Sequence, residues 1–213
     1  MTHQTTEIRN VALTGHASAG KTTLVEQMLV TAGAIRSAGA VEKGSTVSDW
    51  DDLEKKHGHS LSSSLAGFDY QGTHINLLDT PGYPDFVGTA LSVLPAVETV
   101  AVVINHIDSP EVDLESIYLE VQEAFGKECL AVNLPSADDS GVIDCFFRTE
   151  GDPAFSSVEA AHTEIVDQTV EVDEALMATY LDQGEVAADQ LHDAFEQAMR
   201  EGHLIPVLSL IHI

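Results

Sequence analysis

The chain has 213 residues, 44% of them hydrophobic, which is enough to bury the core of one domain or of one domain with an insert. Its 35 acidic residues against 9 Lys and Arg give a formal net charge of −26, which argues against charge-driven binding to nucleic acid. The acidity indicates either a solvated surface or a face for a basic partner. Two cysteines without a Cys-x-x-Cys pair, and the lack of an apolar run of about 20 residues, predict a cytoplasmic protein without a membrane span.

The first predicted elements are a strand, a glycine-rich turn and a helix. The strand is predicted within residues 8–15, which end in an apolar run, and the helix that follows the turn ends near Gly33. Residues 37–60 are polar and show neither helical nor strand periodicity. A polar loop of this length within a compact domain is typically functional. Residues 60–79 then predict a β-hairpin, with Gly72 in its turn.

The remaining elements alternate between helices and short strands. In chain order they are a helix (87–97), a buried strand (98–105), a helix (109–126), two short β-like runs (128–134 and 141–147), two acidic amphipathic helices (157–182 and 187–201) and a closing strand (203–213). In the acidic helices we expect Ile165, Leu176 and Leu181 to face inward and the Glu-rich faces to be solvated.

The turn after the first strand carries a phosphate-binding motif. Its sequence, Gly15-His16-Ala17-Ser18-Ala19-Gly20-Lys21-Thr22, matches G-x-x-x-x-G-K-[ST] and is followed by Thr23. The glycines allow successive backbone N–H groups to converge on phosphates, and the helix N-terminus adds a partial positive charge. The motif predicts that Lys21 reaches the β- and γ-phosphates and that Thr22 binds Mg²⁺.

A second motif follows the predicted hairpin. Asp79-Thr80-Pro81-Gly82 comes directly after an apolar strand, where a P-loop protein keeps a carboxylate for Mg²⁺ and a glycine near the γ-phosphate. We therefore predict that Asp79 acts on Mg²⁺ through water and that Gly82 senses the γ-phosphate.

Together these motifs resemble those of translational GTPases, and further segments narrow the resemblance to elongation factor G. Residues 49–61 resemble its first switch, residues 83–105 its second switch with the following helix and strand, and residues 128–208 its insert subdomain. The resemblance implies an α/β P-loop NTPase fold, a mostly parallel sheet flanked by helices, with an α+β insert. It also implies GTP or GDP and Mg²⁺ as ligands, and GTP hydrolysis stimulated by the ribosome during translocation or recycling.

The resemblance also suggests a domain organisation. Residues 1–126 would be the GTPase domain, residues 127–202 the insert with its acidic helices, and residues 203–213 a returning strand. The chain is expected to be internally shortened after Asn105 and truncated at its C-terminus, without the domains that hold the ribosome. We expect a monomer whose insert is either simply solvated or contacts the ribosomal stalk protein.

Two residues depart from the family pattern in a way that affects catalysis. Ser60 stands where the family has a Thr that binds Mg²⁺, so a hydroxyl ligand is retained. Tyr83 stands where the family has a His that positions the attacking water, and a phenol is a poor general base at neutral pH. The catalytic set suggested by the resemblance is Tyr83, Lys21 and Gly82, and hydrolysis is predicted to be slow or partner-dependent.

The guanine-binding segment is the most altered. Asn105-His106-Ile107-Asp108 resembles the Asn-Lys-x-Asp loop, with Asn105 and Asp108 as guanine ligands, but it follows the buried strand without the helix and strand that precede it in the family. Adjacent parallel strands need a crossover of a dozen or more residues, so this segment cannot end both strands. Either it takes the guanine strand's place and leaves a gap in the sheet, or it takes the earlier place and Asp108 lies one strand too far from the base.

Other functions stay open at this point. The chain could be a fragment that binds nucleotide phosphates weakly, or not at all, and does not hydrolyse them. It could also be a P-loop NTPase that does not distinguish guanine from adenine. The histidines considered as metal ligands, His57, His59, His162, His192 and His203, fit no zinc-binding spacing, so no catalytic metal other than Mg²⁺ is predicted.

Overall fold

The computed structural model describes residues 3–48, 54, 60–107, 112–138, 140–184 and 186–210. The chain divides into two compact units, the first ending at Asn105 and the second beginning at His106. The described strands are β1 (Ile8–Thr14), β2 (Ser64–Tyr70), β3 (Thr73–Asp79), β4 (Thr99–Ile104), β5 (Cys129–Ala131), β6 (Asn133–Pro135), β7 (Val142–Asp144) and β8 (Ile205–Ser209). The described α-helices are α1 (Lys21–Thr31), α2 (Val87–Val93), α3 (Leu114–Phe125), α4 (Val158–Val170), α5 (Glu174–Gln183) and α6 (Ala188–Glu201).

The first unit contains a sheet in which β3, β1 and β4 are parallel and β2 is an antiparallel edge. Because β1 and β3 are in register with Leu13 opposite Asp79, the carboxyl ends of both strands lie at the same edge. The core beneath this sheet includes Leu13 of β1, Val25 of α1 and Leu77 of β3, all nearly fully buried. Both sequence motifs therefore begin at one edge of a rigid sheet. The predicted α/β class is confirmed.

The second unit pairs β5 with β8 in parallel and β6 with β7 antiparallel. Its apolar core includes Leu134 of β6, Ile165 of α4, Ala198 of α6 and Leu204 just before β8, all of them almost completely buried. No helix in the described part of the chain combines the length and the apolar character that a membrane crossing requires.

Helix α3 belongs to the second unit because its polar side chains bind β5. The Tyr118 hydroxyl and the Gln122 amide both donate to the Cys129 carbonyl, at 3.2 and 3.0 Å. Burial raises the pKa of Tyr118 to about 12, so its hydroxyl remains a donor at neutral pH. The compact units thus divide before α3, whereas the sequence placed a boundary after residue 126; the three-part domain organisation stays a prediction.

Two expectations for the acidic helices are wrong. The single helix expected over 157–182 is two helices, because the Asp173 carboxylate accepts the Ala175 and Leu176 N–H groups and starts α5 anew. Leu181 is 78% exposed rather than inward, since the break turns α5 so that Leu176 is its buried residue. Ile165 is fully buried, as expected.

One buried carboxylate organises the polar loop that follows α1. Glu26 is 1% exposed, and its two oxygens accept the Gly39 N–H at 2.6 Å and the Val47 N–H at 2.5 Å. Hydrogen bonds to a charged acceptor are among the stronger ones in proteins, so Glu26 ties this loop to α1.

Replacing Glu26 with Ala is expected to lower the free energy of unfolding by about 2–4 kcal/mol, because two backbone donors lose a charged acceptor. Glu42→Ala in the same loop is the matched control; Glu42 is exposed, and its loss should change stability by less than about 0.5 kcal/mol. Urea unfolding of both variants measures the difference, and equal effects would contradict the role given to Glu26.

Candidate functional site

The phosphate loop connects the end of β1 to the start of α1 through left-handed backbone. Gly15, Ser18 and Gly20 have φ angles of 149°, 64° and 75°. A Cβ on Gly15 would lie 2.5 Å from the Val103 carbonyl oxygen of β4, so only glycine fits there. The loop is closed by the Ala19 N–H, which donates to the His16 carbonyl at 3.2 Å. Thr23 follows in the first turn of α1.

Lys21 is held inside this loop. Its side chain is 6% exposed, and Nζ donates to the Gly15 and His16 carbonyls at 3.0 and 2.9 Å. Burial lowers the pKa of Lys21, an effect that the nearby charge of Asp79 partly offsets. A buried ammonium in a glycine-rich loop attracts an anion, and the sequence motif predicts that this anion is a phosphate.

Three oxygen-bearing side chains meet beside Lys21. The Thr22 hydroxyl donates to Asp79 Oδ2 at 2.5 Å and lies 3.4 Å from the Ser60 hydroxyl. Asp79 is the last residue of β3 and is 1% exposed. The structure therefore brings together the three side chains that the sequence predicted as Mg²⁺ ligands. A carboxylate and two hydroxyls form the oxygen donor set that Mg²⁺ prefers, so the residues present fit this ion.

The second motif is bound directly to the phosphate loop. The Ala17 N–H donates to the Gly82 carbonyl at 3.0 Å, and the Thr80 hydroxyl donates to the Leu13 carbonyl at 2.7 Å. A Cβ on Gly82 would lie 2.5 Å from the Ala17 nitrogen. The two motifs are thus packed against each other at backbone level, with no room for a side chain at Gly82.

Tyr83 follows Gly82 and is 38% exposed at the start of the 3₁₀ turn Pro84–Phe86. Its carbonyl accepts the Phe86 N–H at 3.0 Å, which fixes the backbone beside the site. The catalytic roles assigned to Tyr83, Lys21 and Gly82 stay predictions.

Strand β4 lies directly beside β1, with Thr99 opposite Val11 and Val102 opposite Thr14. The strand that ends at this segment therefore takes the earlier place, next to β1. The alternative, in which the segment takes the guanine strand's place and leaves a gap in the sheet, is wrong. Asn105 is half-buried just past the end of β4, and His106 has a left-handed φ of 59°. Asp108 lies outside the described residues, so guanine binding by Asn105 and Asp108 stays a prediction.

The chain matches the sequence family described as "Elongation factor Tu GTP binding domain" over residues 6–207. It belongs to this family. An elongation factor G-like protein from Mycobacterium tuberculosis (strain ATCC 25618 / H37Rv) is 32% identical over 244 residues, covering 94% of this chain and 34% of the relative. The peptide chain release factor 3 of Lactobacillus delbrueckii subsp. bulgaricus (strain ATCC BAA-365 / Lb-18) is 42% identical over 119 residues, covering 54% of this chain and 23% of the relative.

A crystal structure of a protein from Thermus thermophilus has a similar fold. It superposes with a TM-score of 0.72 and 29% identity, covering 96% of this chain and 37% of that one. The predicted resemblance to translational GTPases of the elongation factor G type is confirmed by these matches. The chain spans about a third of the length of the elongation factor G-like relatives it matches.

Sequence reasoning missed a positioning residue close to Ser60. Glu54 is 2% exposed, and its Oε1 accepts the Leu61 and Ser62 N–H groups at 2.9 and 3.0 Å. These contacts fix the backbone immediately after Ser60 and so help to hold its hydroxyl near Thr22. In a chain with 35 acidic residues no local sequence pattern distinguishes Glu54 from the other carboxylates.

Gly82→Ala is expected to lower the free energy of unfolding by about 1–3 kcal/mol, because the new Cβ must displace the phosphate loop. Gly88→Ala is the control and is expected to raise the free energy of unfolding. A Cβ at Gly88 meets nothing within 4 Å, and alanine favours helix α2 by about 0.5–1 kcal/mol. Thermal and denaturant unfolding of both variants test this, and a neutral Gly82→Ala would show that the close contact is not rigid.

Proposed function

We propose that this chain binds GTP and GDP with Mg²⁺ and hydrolyses GTP as the GTPase domain of an elongation factor G-like translation factor. The observation that carries the proposal is the convergence of Lys21, Thr22 and Asp79, one cation and two hard oxygen ligands, on a glycine-rich loop. Membership of a family of GTP-binding domains supports the same conclusion.

Each residue has a defined part in this proposal. The backbone N–H groups of residues 15–23 and the Lys21 ammonium neutralise the phosphates, while the N-terminus of α1 adds its dipole. Thr22 and Ser60 would hold Mg²⁺ directly, and Asp79 would hold it through water. When bound, Mg²⁺ stabilises the negative charge that builds up on the phosphates. Gly82 senses the γ-phosphate through its backbone, and this is how the second switch distinguishes GTP from GDP.

Hydrolysis is expected to be slow in the isolated chain. Tyr83 replaces the histidine that the family resemblance expects, and a phenol accepts a proton poorly at neutral pH. Its hydroxyl can still orient a water molecule, so turnover would depend on a partner that adjusts this residue.

The cellular role proposed for the whole protein follows its relatives' names. The relatives are called elongation factor G-like protein and peptide chain release factor 3, which are factors of translation. We therefore propose the ribosome as partner, a translocation or recycling role, and the cytoplasm as location. We propose that the acidic helices α4–α6 provide the surface that contacts the ribosomal stalk protein. The chain itself is proposed to be a monomer.

Equilibrium binding of fluorescent GDP and GTP tests the proposal. With Mg²⁺ present we expect micromolar binding that unlabelled GTP displaces and ATP does not. Lys21→Ala is expected to weaken binding at least about tenfold, because the charged contact to the phosphates is lost. Equal displacement by ATP would mean a phosphate site without base selection, and no binding at all would contradict the proposal.

Tyr83→His is expected to raise the rate of GTP hydrolysis roughly tenfold or more, because an imidazole at this position acts as a general base near neutral pH. Tyr83→Phe is the matched control and should not gain activity. Single-turnover phosphate release measures both variants. If Tyr83→His is no faster than the parent, Tyr83 is not what limits turnover.

A further inference from the structure

A group of metal-ligating side chains lies outside the phosphate site, on the hairpin formed by β2 and β3. Asp69 and His74 are directly opposite each other in the antiparallel register. The turn that joins the strands uses Gln71 and Gly72, whose φ angles of 47° and 87° are those of a tight two-residue hairpin. Side chains opposite each other in such a pair lie about 5 Å apart at Cβ, so the backbone itself brings this carboxylate and imidazole together.

The third member comes from the segment that precedes β1. His3 stacks on His74 with ring centroids 4.9 Å apart and planes 26° from parallel. The intervening residues are ordered by the Gln4 N–H, which donates to the Glu7 carboxylate at 2.9 Å, and by Arg9 Nη1, which donates to the Thr6 carbonyl at 2.7 Å. Three separate stretches of chain therefore converge on one point.

The three ligand atoms are close enough to share one ion. Asp69 Oδ1 lies 2.6 Å from His74 Nδ1 and 3.2 Å from His3 Nε2, and all three atoms lie within 4.8 Å of one another. In a tetrahedral site with bonds of about 2.0–2.1 Å, neighbouring ligand atoms are separated by roughly 3.4 Å. Asp69 is 53% and His74 30% exposed, so both side chains have room to rotate toward this geometry.

The space around His74 is compatible with such a movement. Gly67 lies two residues before Asp69 on the same face of β2, and a Cβ there would lie in van der Waals contact with the His74 ring, 3.6 Å from Cε1 and Nε2. The absence of a side chain at Gly67 therefore leaves the ring more room. Within the residues that the structure describes, no other group of three His, Cys, Asp or Glu side chains brings its ligand atoms this close.

We propose that His3, Asp69 and His74 form a binding site for a borderline divalent cation of the Zn²⁺ class, with water at the fourth position. Two imidazoles and one carboxylate suit Zn²⁺, whereas Mg²⁺ and Ca²⁺ prefer oxygen ligands alone. Bound metal would link the segment before β1 to the hairpin and so stabilise the edge of the sheet. Ligands drawn from such distant stretches of chain produce no recognisable spacing, so the sequence alone does not indicate His3 or His74.

This site is independent of the proposed nucleotide site. His74 lies near the start of β3 and Asp79 at its end, five residues further along, which places the two sites about 17 Å apart along the strand. Removing a zinc ligand is therefore expected to leave nucleotide binding unchanged.

Isothermal titration of Zn²⁺ into the untagged 213-residue chain tests the proposal, with millimolar Mg²⁺ present to occupy the many surface carboxylates. We expect one zinc ion per chain and a thermal midpoint that rises on zinc addition. His3→Gln, Asp69→Asn and His74→Gln should each weaken binding roughly tenfold or more and remove the rise in midpoint.

His192→Gln is the matched control, since His192 likewise lies near a carboxylate, that of Asp193 at 4.0 Å, but belongs to no group of three ligands among the described residues. It should bind zinc like the parent. Circular dichroism without zinc establishes that all variants are folded. The proposal is overturned if the parent binds no zinc, or if the three ligand variants bind it as tightly as the parent and the His192→Gln control.

Discussion

The hydrogen bond between Thr22 and Asp79 is the contact on which the proposed activity depends. Thr22 lies in the first turn of α1 and Asp79 ends β3, and the two meet only because β1 and β3 are parallel and in register at Leu13 and Asp79. The same edge of the sheet fixes Gly82 against the phosphate loop. Two motifs far apart in the sequence thereby become one site with a cation and hard oxygen ligands. A shift of one residue in this register would point Asp79 to the other face of the sheet.

Local parts of this arrangement could be predicted from the sequence. The G-x-x-x-x-G-K-[ST] motif between β1 and α1, the hairpin turn at Gly72 and the closing strand β8 each carry their own turn or periodicity signal. Thr22 and Asp79 meet because their motifs follow the adjacent parallel strands β1 and β3, whereas Ser60 reaches Thr22 from the loop before β2. The break at Asp173 was missed because an aspartate within an apolar period looks like a surface residue until its carboxylate caps a new helix.

Long-range contacts could not be predicted in the same way. Glu26 and Glu54 are buried acceptors for backbone N–H groups, yet they occur in a chain in which acidic residues are common and mostly solvated. Nothing in their neighbouring residues indicates burial, since their partners are backbone groups of loops. The pairing of β4 directly with β1 was one of two open alternatives, and only the observed register decided between them. These features follow from the assembled sheet rather than from any local pattern.

The central claim, that Thr22 and Asp79 act together on one Mg²⁺ ion at the phosphates, is tested most directly by a double-mutant cycle. The affinity for GDP would be measured for the parent, Thr22→Val, Asp79→Asn and the double variant, with Mg²⁺ and with a chelator. We expect each single change to weaken binding about tenfold with Mg²⁺, the double variant to lose little more, and all four affinities to converge without Mg²⁺. Additive losses, or losses that persist in the chelator, would contradict the account.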